Sequence, residues 1–227
     1  MAEKAISEFT VRDLRGLWKP KKERLQLVPQ PHPLPIRLHR AFSWMEIVEE
    51  RDFEADQDQI LLYTWIAFNA MYGKWDPVNC YPESERESIK NFVSMINKID
   101  RNTLIEKCLD QNKEQTVELL SDQYLNKLYW RSIYSDTKFQ ESISRNRAVG
   151  WFESKDYTTL FSTSIERIYF NRCQLSHGAA TAGSNLNRIS ISRSARLLTE
   201  FMKVILFVVI DNGIGQDWDN MCYPPVD

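Results

Sequence analysis

From Asp58 to Tyr72 the chain is apolar on almost every side of a helical wheel. Leu61, Trp65, Phe68 and Tyr72 form one stripe at steps of four, three and four, and Leu62 and Ile66 form another. A helix with apolar side chains on so many faces belongs at the centre of a bundle, because only other helices can cover them all. A second such segment, about residues 190–211, carries Leu197, Leu198, Phe201, Val204, Ile205, Val208 and Val209 on one wide face. Residues 157–177 place Phe161, Ile165, Ile168 and Leu175 at helical spacing. Further helices are expected at 84–99, 103–110 and 114–134, and Ser43 is expected to cap one that runs through Glu50. Alternating strand patterns are scarce and no internal repeat is visible. The reading is an all-α bundle with long core helices.

Two kinds of segment interrupt the pattern. Residues 19–39 hold Pro20, Pro29, Pro31, Pro33 and Pro35. Each proline lacks an amide donor and pushes its predecessor towards extended geometry, so VPQPHPLPIRL is expected to be a polyproline-like connector. A PxxP ligand for another module is the second reading. The chain then divides into an N-terminal arm, residues 1–39, and a helical domain, residues 40–227. A loop is expected over roughly 145–156, and the small, polar GAATAGSNLN (178–187) reads as another.

Charge and composition limit the function classes. The 29 basic and 31 acidic residues leave a net charge of −2, which excludes a general basic coat for nucleic acid. That total hides a gradient: ten bases against five acids over 138–203 (+5), and nine bases against sixteen acids over 40–120 (−7). With three histidines and four dispersed cysteines, neither a structural metal site nor a disulfide framework is expected. No cofactor motif is visible. The N-terminus has no continuous apolar run of the signal-peptide kind, and Phe201–Ile210 is half a membrane span, so the expectation is a cytoplasmic protein without membrane contact.

One short constellation carries chemistry: Arg172-Cys173-Gln174-Leu175-Ser176-His177, followed by Gly178. Arg172 lies four after Ile168 and three before Leu175, on the apolar stripe of its helix. A charge there must be paired or must line a cleft or an interface. His177 falls in the last turn, ahead of a glycine suited to a left-handed cap. Structural readings stand beside the functional one: Arg172 as a buried pair with Glu166 or an upstream acid, and His177 as a partner of the helix's last carbonyls.

Two stretches in this order resemble the HEPN superfamily, and within it the Apea-like HEPN group. They are LLYTWIAFNAMYG (61–73), similar to an aromatic-rich helix ending in N-A-x-Y-G, and IYFNRCQLSHG (168–178), similar to the R-x4-6-H motif with its glycine. The resemblance covers most of residues 40–212. It implies a helical bundle that dimerises, so that two motifs face one another in a composite active site. It also implies metal-independent RNA cleavage, in a toxin–antitoxin or antiphage setting with an antitoxin or defence protein as partner. Carried over, His177 would be the general acid or base at the RNA 2′-OH or the 5′-oxygen, and Arg172 would hold the scissile phosphate. A non-catalytic HEPN module that binds nucleotide, RNA or a protein is the alternative.

The side chains suit that chemistry. Histidine titrates near neutral pH, and the arginine fork matches phosphate oxygens. The chain departs from many ribonuclease members in placing Cys173 directly after the arginine, with the polar Asn171 before it. It also lacks an H-x-Y extension, since Gly178 and Ala179 follow His177. Asn69 could orient Arg172 or His177, or be a satisfied core amide; Ser176 could support the histidine or only cap carbonyls. Arg145, Arg147, Arg188, Arg193 and Arg196 form either an RNA-tracking surface or a solvated face.

Overall fold

The computed structural model describes residues 8–27, 29–135, 139–179, 181 and 187–224. Among the described residues the protein is all-α apart from one two-stranded ribbon. The elements are α1 (Val11–Gln26), α2 (Leu34–Glu49), α3 (Gln57–Tyr72), β1 (Trp75–Asp76), β2 (Tyr81–Pro82), α4 (Glu85–Ile99), α5 (Leu104–Gln111) and α6 (Lys113–Ser121). A 3₁₀ turn (Gln123–Leu125), α7 (Lys127–Ser132), α8 (Glu141–Glu153), α9 (Tyr157–Ser176) and α10 (Arg188–Asn212) follow. The antiparallel ribbon sets Trp75 opposite Pro82 and Asp76 opposite Tyr81. None of the helices is long and apolar enough to cross a membrane.

The chain forms two compact units. One comprises residues up to Arg51, Tyr63–Leu104 and the chain from Met202 onward. Its core is aromatic: Phe68 meets Trp65, Tyr72 and Phe92 edge-on at 5.3, 4.9 and 5.6 Å, and Phe92 meets Trp218 at 6.4 Å. Helix α4 supplies Ile89, Phe92, Val93, Ile96 and Ile99 from one face, at the spacing an amphipathic helix requires. Arg37 is buried here. Its guanidinium donates to the carbonyls of Ala70, Met71 and Gly73 at 3.3, 3.1 and 2.9 Å, and to Trp218 O at 3.1 Å. The first three lie at the end of α3, where carbonyls have no intrahelical donors, and the fourth lies beyond α10. Burial pulls the Arg37 pKa down to about 10, so the side chain stays charged at neutral pH.

The other unit comprises Asp52–Leu62 and Ile105–Phe201. Leu160, Phe161, Ser164, Ile165 and Ile168 of α9 are buried, and Phe161 packs edge-on against Phe201 at 5.3 Å. Val117, Leu119 and Leu120 of α6 and Ala148 and Phe152 of α8 complete this core. The N-terminus of α9 is capped by Asp156, whose carboxylate accepts from Thr159 N at 3.1 Å.

Four local expectations are corrected. The boundary placed at residue 39 falls inside α2, which begins nine residues before Ser43; Ser43 lies within that helix and donates to Arg40 O. Pro33 is the N-cap of α2 and Pro35 occupies its first turn, where amide donors have no intrahelical acceptor, so the prolines start the helix. Pro20 lies inside α1, on its exposed side. The residue four before it is Gly16, also exposed, so the carbonyl left without a helical donor can turn to water. Residues 145–153, expected to form a loop, belong to α8. The connector expected over 178–187 lies largely outside the described residues.

Candidate functional site

The end of α9 is fixed by a glycine. His177 is the C-cap; Gly178 takes a left-handed conformation (φ 73°), its amide donates to Leu175 O at 3.3 Å and Ala179 N donates to Gln174 O at 2.8 Å. This double closure satisfies carbonyls that the last turn would otherwise leave open. It leaves the His177 side chain exposed, beside exposed Ser176.

Arg172, five residues earlier, is half-buried, with its guanidinium carbon 5.2 Å from the centroid of the Tyr169 ring. Cation and ring attract through the aromatic quadrupole, which holds the guanidinium against the side of the helix. On an ideal helix five residues rise about 7.5 Å and turn about 140°, so Arg172 and His177 of one chain occupy different sectors of the helix end. Glu166, the partner weighed for Arg172, accepts from Lys127 at 3.0 Å. Asn171 is buried and donates to the Ser194 hydroxyl at 2.8 Å, tying α9 to α10 one residue before the arginine.

Asn69 is exposed in the other unit, beside a cleft of about 500 Å³ that Arg37, Arg40 and Lys74 also line. The five arginines weighed as an RNA surface divide. Arg188 pairs with Asp58 at 2.9 Å, and Arg145 and Arg193 share Glu118 at 2.7 and 3.5 Å. The hydrogen bond and charge of Arg145 hold the Glu118 carboxyl below its ordinary range. Arg196 lies 4.2 Å from the Phe53 ring centroid. Arg147 is exposed and lines a cleft of about 620 Å³.

That cleft was missed in the sequence. Its walls carry Lys127 and Arg131 from α7, Arg147 and Trp151 from α8, Arg167 from α9, and Phe139. Glu166 is the acid among its described lining residues. Arg167 donates to Leu125 O at 3.0 Å, and burial lowers its pKa. The signal was present at Ile143, Arg147 and Trp151, spaced four apart on α8, and reading that stretch as a loop hid it. Among the described residues no group of three or more His, Cys, Asp or Glu side chains is placed to hold a metal ion.

No family model matches the chain, and no curated protein and no solved structure matches it.

Proposed function

We propose that the protein is a HEPN-type endoribonuclease of the Apea-like group, acting as a homodimer in a toxin or antiphage setting, with Arg172 and His177 as its catalytic residues. The observation that carries this reading is the pairing, on the last turns of one core helix, of a half-buried arginine with a solvent-exposed histidine at the cap. RNA brings its own nucleophile. The 2′-oxygen attacks the adjacent phosphorus, the P–O5′ bond breaks, and a 2′,3′-cyclic phosphate and a 5′-hydroxyl result. One histidine accepts the 2′-OH proton and a second donates a proton to the departing 5′-oxygen. A dimer supplies both, as His177 of each copy. Arg172 offers fixed positive charge to the phosphate as negative charge grows on its oxygens.

The test is cleavage of single-stranded RNA by wild type, His177→Ala and Arg172→Ala at matched thermal stability. Wild type is expected to cut, and both variants to lose at least about a hundredfold in rate. Wild type that binds RNA or a protein partner and never cuts it would assign the same face to a binding module.

A further inference from the structure

The α7–α8–α9 cleft is distinct from the end of α9, and its chemistry points to one ligand class. Among the described residues four cations, Lys127, Arg131, Arg147 and Arg167, line it against one carboxylate, Glu166, which Lys127 already engages. Arg131 and Arg147 are exposed and make no ion pair among the described residues. Two half-buried aromatic residues, Trp151 and Phe139, line the same cleft. A cleft whose described lining carries several cations, one engaged acid and two part-exposed aromatic rings matches a flexible polyanion whose units carry flat bases. An acidic peptide would use the charges and leave the rings idle.

Contacts lead from this cleft to the R-x4-H motif. Phe139 meets Tyr129 edge-on at 5.7 Å; Tyr129 meets Tyr124 at 5.4 Å and Trp130 at 5.3 Å. Tyr124 O accepts from Gln174, which lies between Arg172 and His177. Tyr124 and Trp130 remain about two-fifths exposed, so their rings can be reached from solvent. Along α9, His177 lies ten residues beyond Arg167, a rise of about 15 Å.

Building on the endoribonuclease reading, we propose that this cleft is the seat of single-stranded RNA. Backbone phosphates lie on Arg131, Arg147 and Arg167, bases stack on Phe139 and Trp151, and the Tyr124–Tyr129–Trp130 cluster leads the strand to Arg172 and His177.

The test uses the whole chain with His177→Ala, so that RNA is bound and not cut. Affinity for a fluorescent single-stranded oligoribonucleotide is read by anisotropy at several salt concentrations, with each variant's melting temperature as a folding control. Arg131→Glu with Arg147→Glu is expected to weaken binding about tenfold or more, and Arg147→Ala alone to lower the salt slope by about 1. Arg12→Glu with Arg101→Glu, an equal charge change in the other unit, is expected to stay within about twofold on the same ground. Phe139→Leu is expected to cost about tenfold through lost stacking. Absence of RNA binding, or cleft and control charge variants with equal affinity, would overturn the seat. So would polyglutamate that displaces the RNA as well as unlabelled RNA does, which would assign the cleft to an acidic polypeptide. The endoribonuclease reading is judged separately, by wild-type cleavage against His177→Ala.

Discussion

The Asn171 side-chain amide donates to the Ser194 hydroxyl at 2.8 Å, with both residues buried between α9 and α10. A buried amide and hydroxyl that satisfy each other fix the rotation of one helix against the other more narrowly than apolar packing does. Arg172 is the next residue on α9, so the way it faces relative to α10 follows from the helix rotation that this bond holds.

Asn171→Ala strands the Ser194 hydroxyl in the core and is expected to cost about 1–3 kcal/mol in urea denaturation. Adding Ser194→Ala is expected to recover at least about 0.5 kcal/mol relative to the sum of the single changes. Strict additivity would mean that the two groups do not interact energetically.

Gly178 ends α9 at φ 73°, and apart from its chain neighbours no described residue comes within 4 Å of where a Cβ would stand. The cost of Gly178→Ala is therefore conformational alone, about 1 kcal/mol. Gly178→Asn tolerates the left-handed conformation and is expected to recover part of that stability. On the catalytic reading it also recovers RNA cleavage, because the position of His177 follows the cap. Equal stability of the alanine and asparagine variants would show that the cap does not set the helix end.

Arg37 serves four carbonyls in two directions. Arg37→Met is expected to destabilise the protein by at least about 3 kcal/mol, since several buried acceptors lose their donor together. Arg37→Lys is expected to recover only part, because an ammonium lacks the planar fork. Chemical denaturation compares the three.

Burial pushes the Cys108 thiol up to about 12, with the charge of Glu200 adding to the effect, whereas Cys80 is exposed. In native protein at pH 8, an alkylating reagent is expected to label Cys80 and spare Cys108. The unfolded chain releases the Cys108 proton at a lower pH than the folded chain does. Stability is therefore full below the ordinary thiol pKa of 9.0 and falls as pH rises from there towards 12. The slope from this group is up to about 1.4 kcal/mol per pH unit. Cys108→Ala costs stability at neutral pH and removes that part of the alkaline slope. A slope unchanged by the substitution would contradict the assignment.

The legible parts of the fold were those whose apolar stripes continue for several turns. Helix α3 is visible from Leu61, Trp65, Phe68 and Tyr72, and α9 from Phe161, Ile165 and Ile168 with Gly178 as its stop. Helix α8 was opaque because it buries only Ala148 and Phe152, which leaves almost no amphipathic signal. The prolines are ambiguous in the sequence for another reason: a proline breaks a helix interior, but at a helix start, where Pro33 and Pro35 stand, its missing donor is not needed. The position of Arg172 and His177 on α9 could be read from spacing. Which arginines are neutralised could not, because Glu118 and Asp58 reach Arg145, Arg193 and Arg188 only after folding.

The chemistry of the new RNA ends tests the catalytic assignment most directly. Purified protein is incubated with a defined single-stranded RNA in the presence of a chelator, and the termini of the fragments are determined by mass spectrometry. The account expects 2′,3′-cyclic phosphate and 5′-hydroxyl ends from wild type and intact RNA from folded His177→Ala. Fragments with 5′-phosphate ends, or equal cleavage by wild type and His177→Ala, would contradict it.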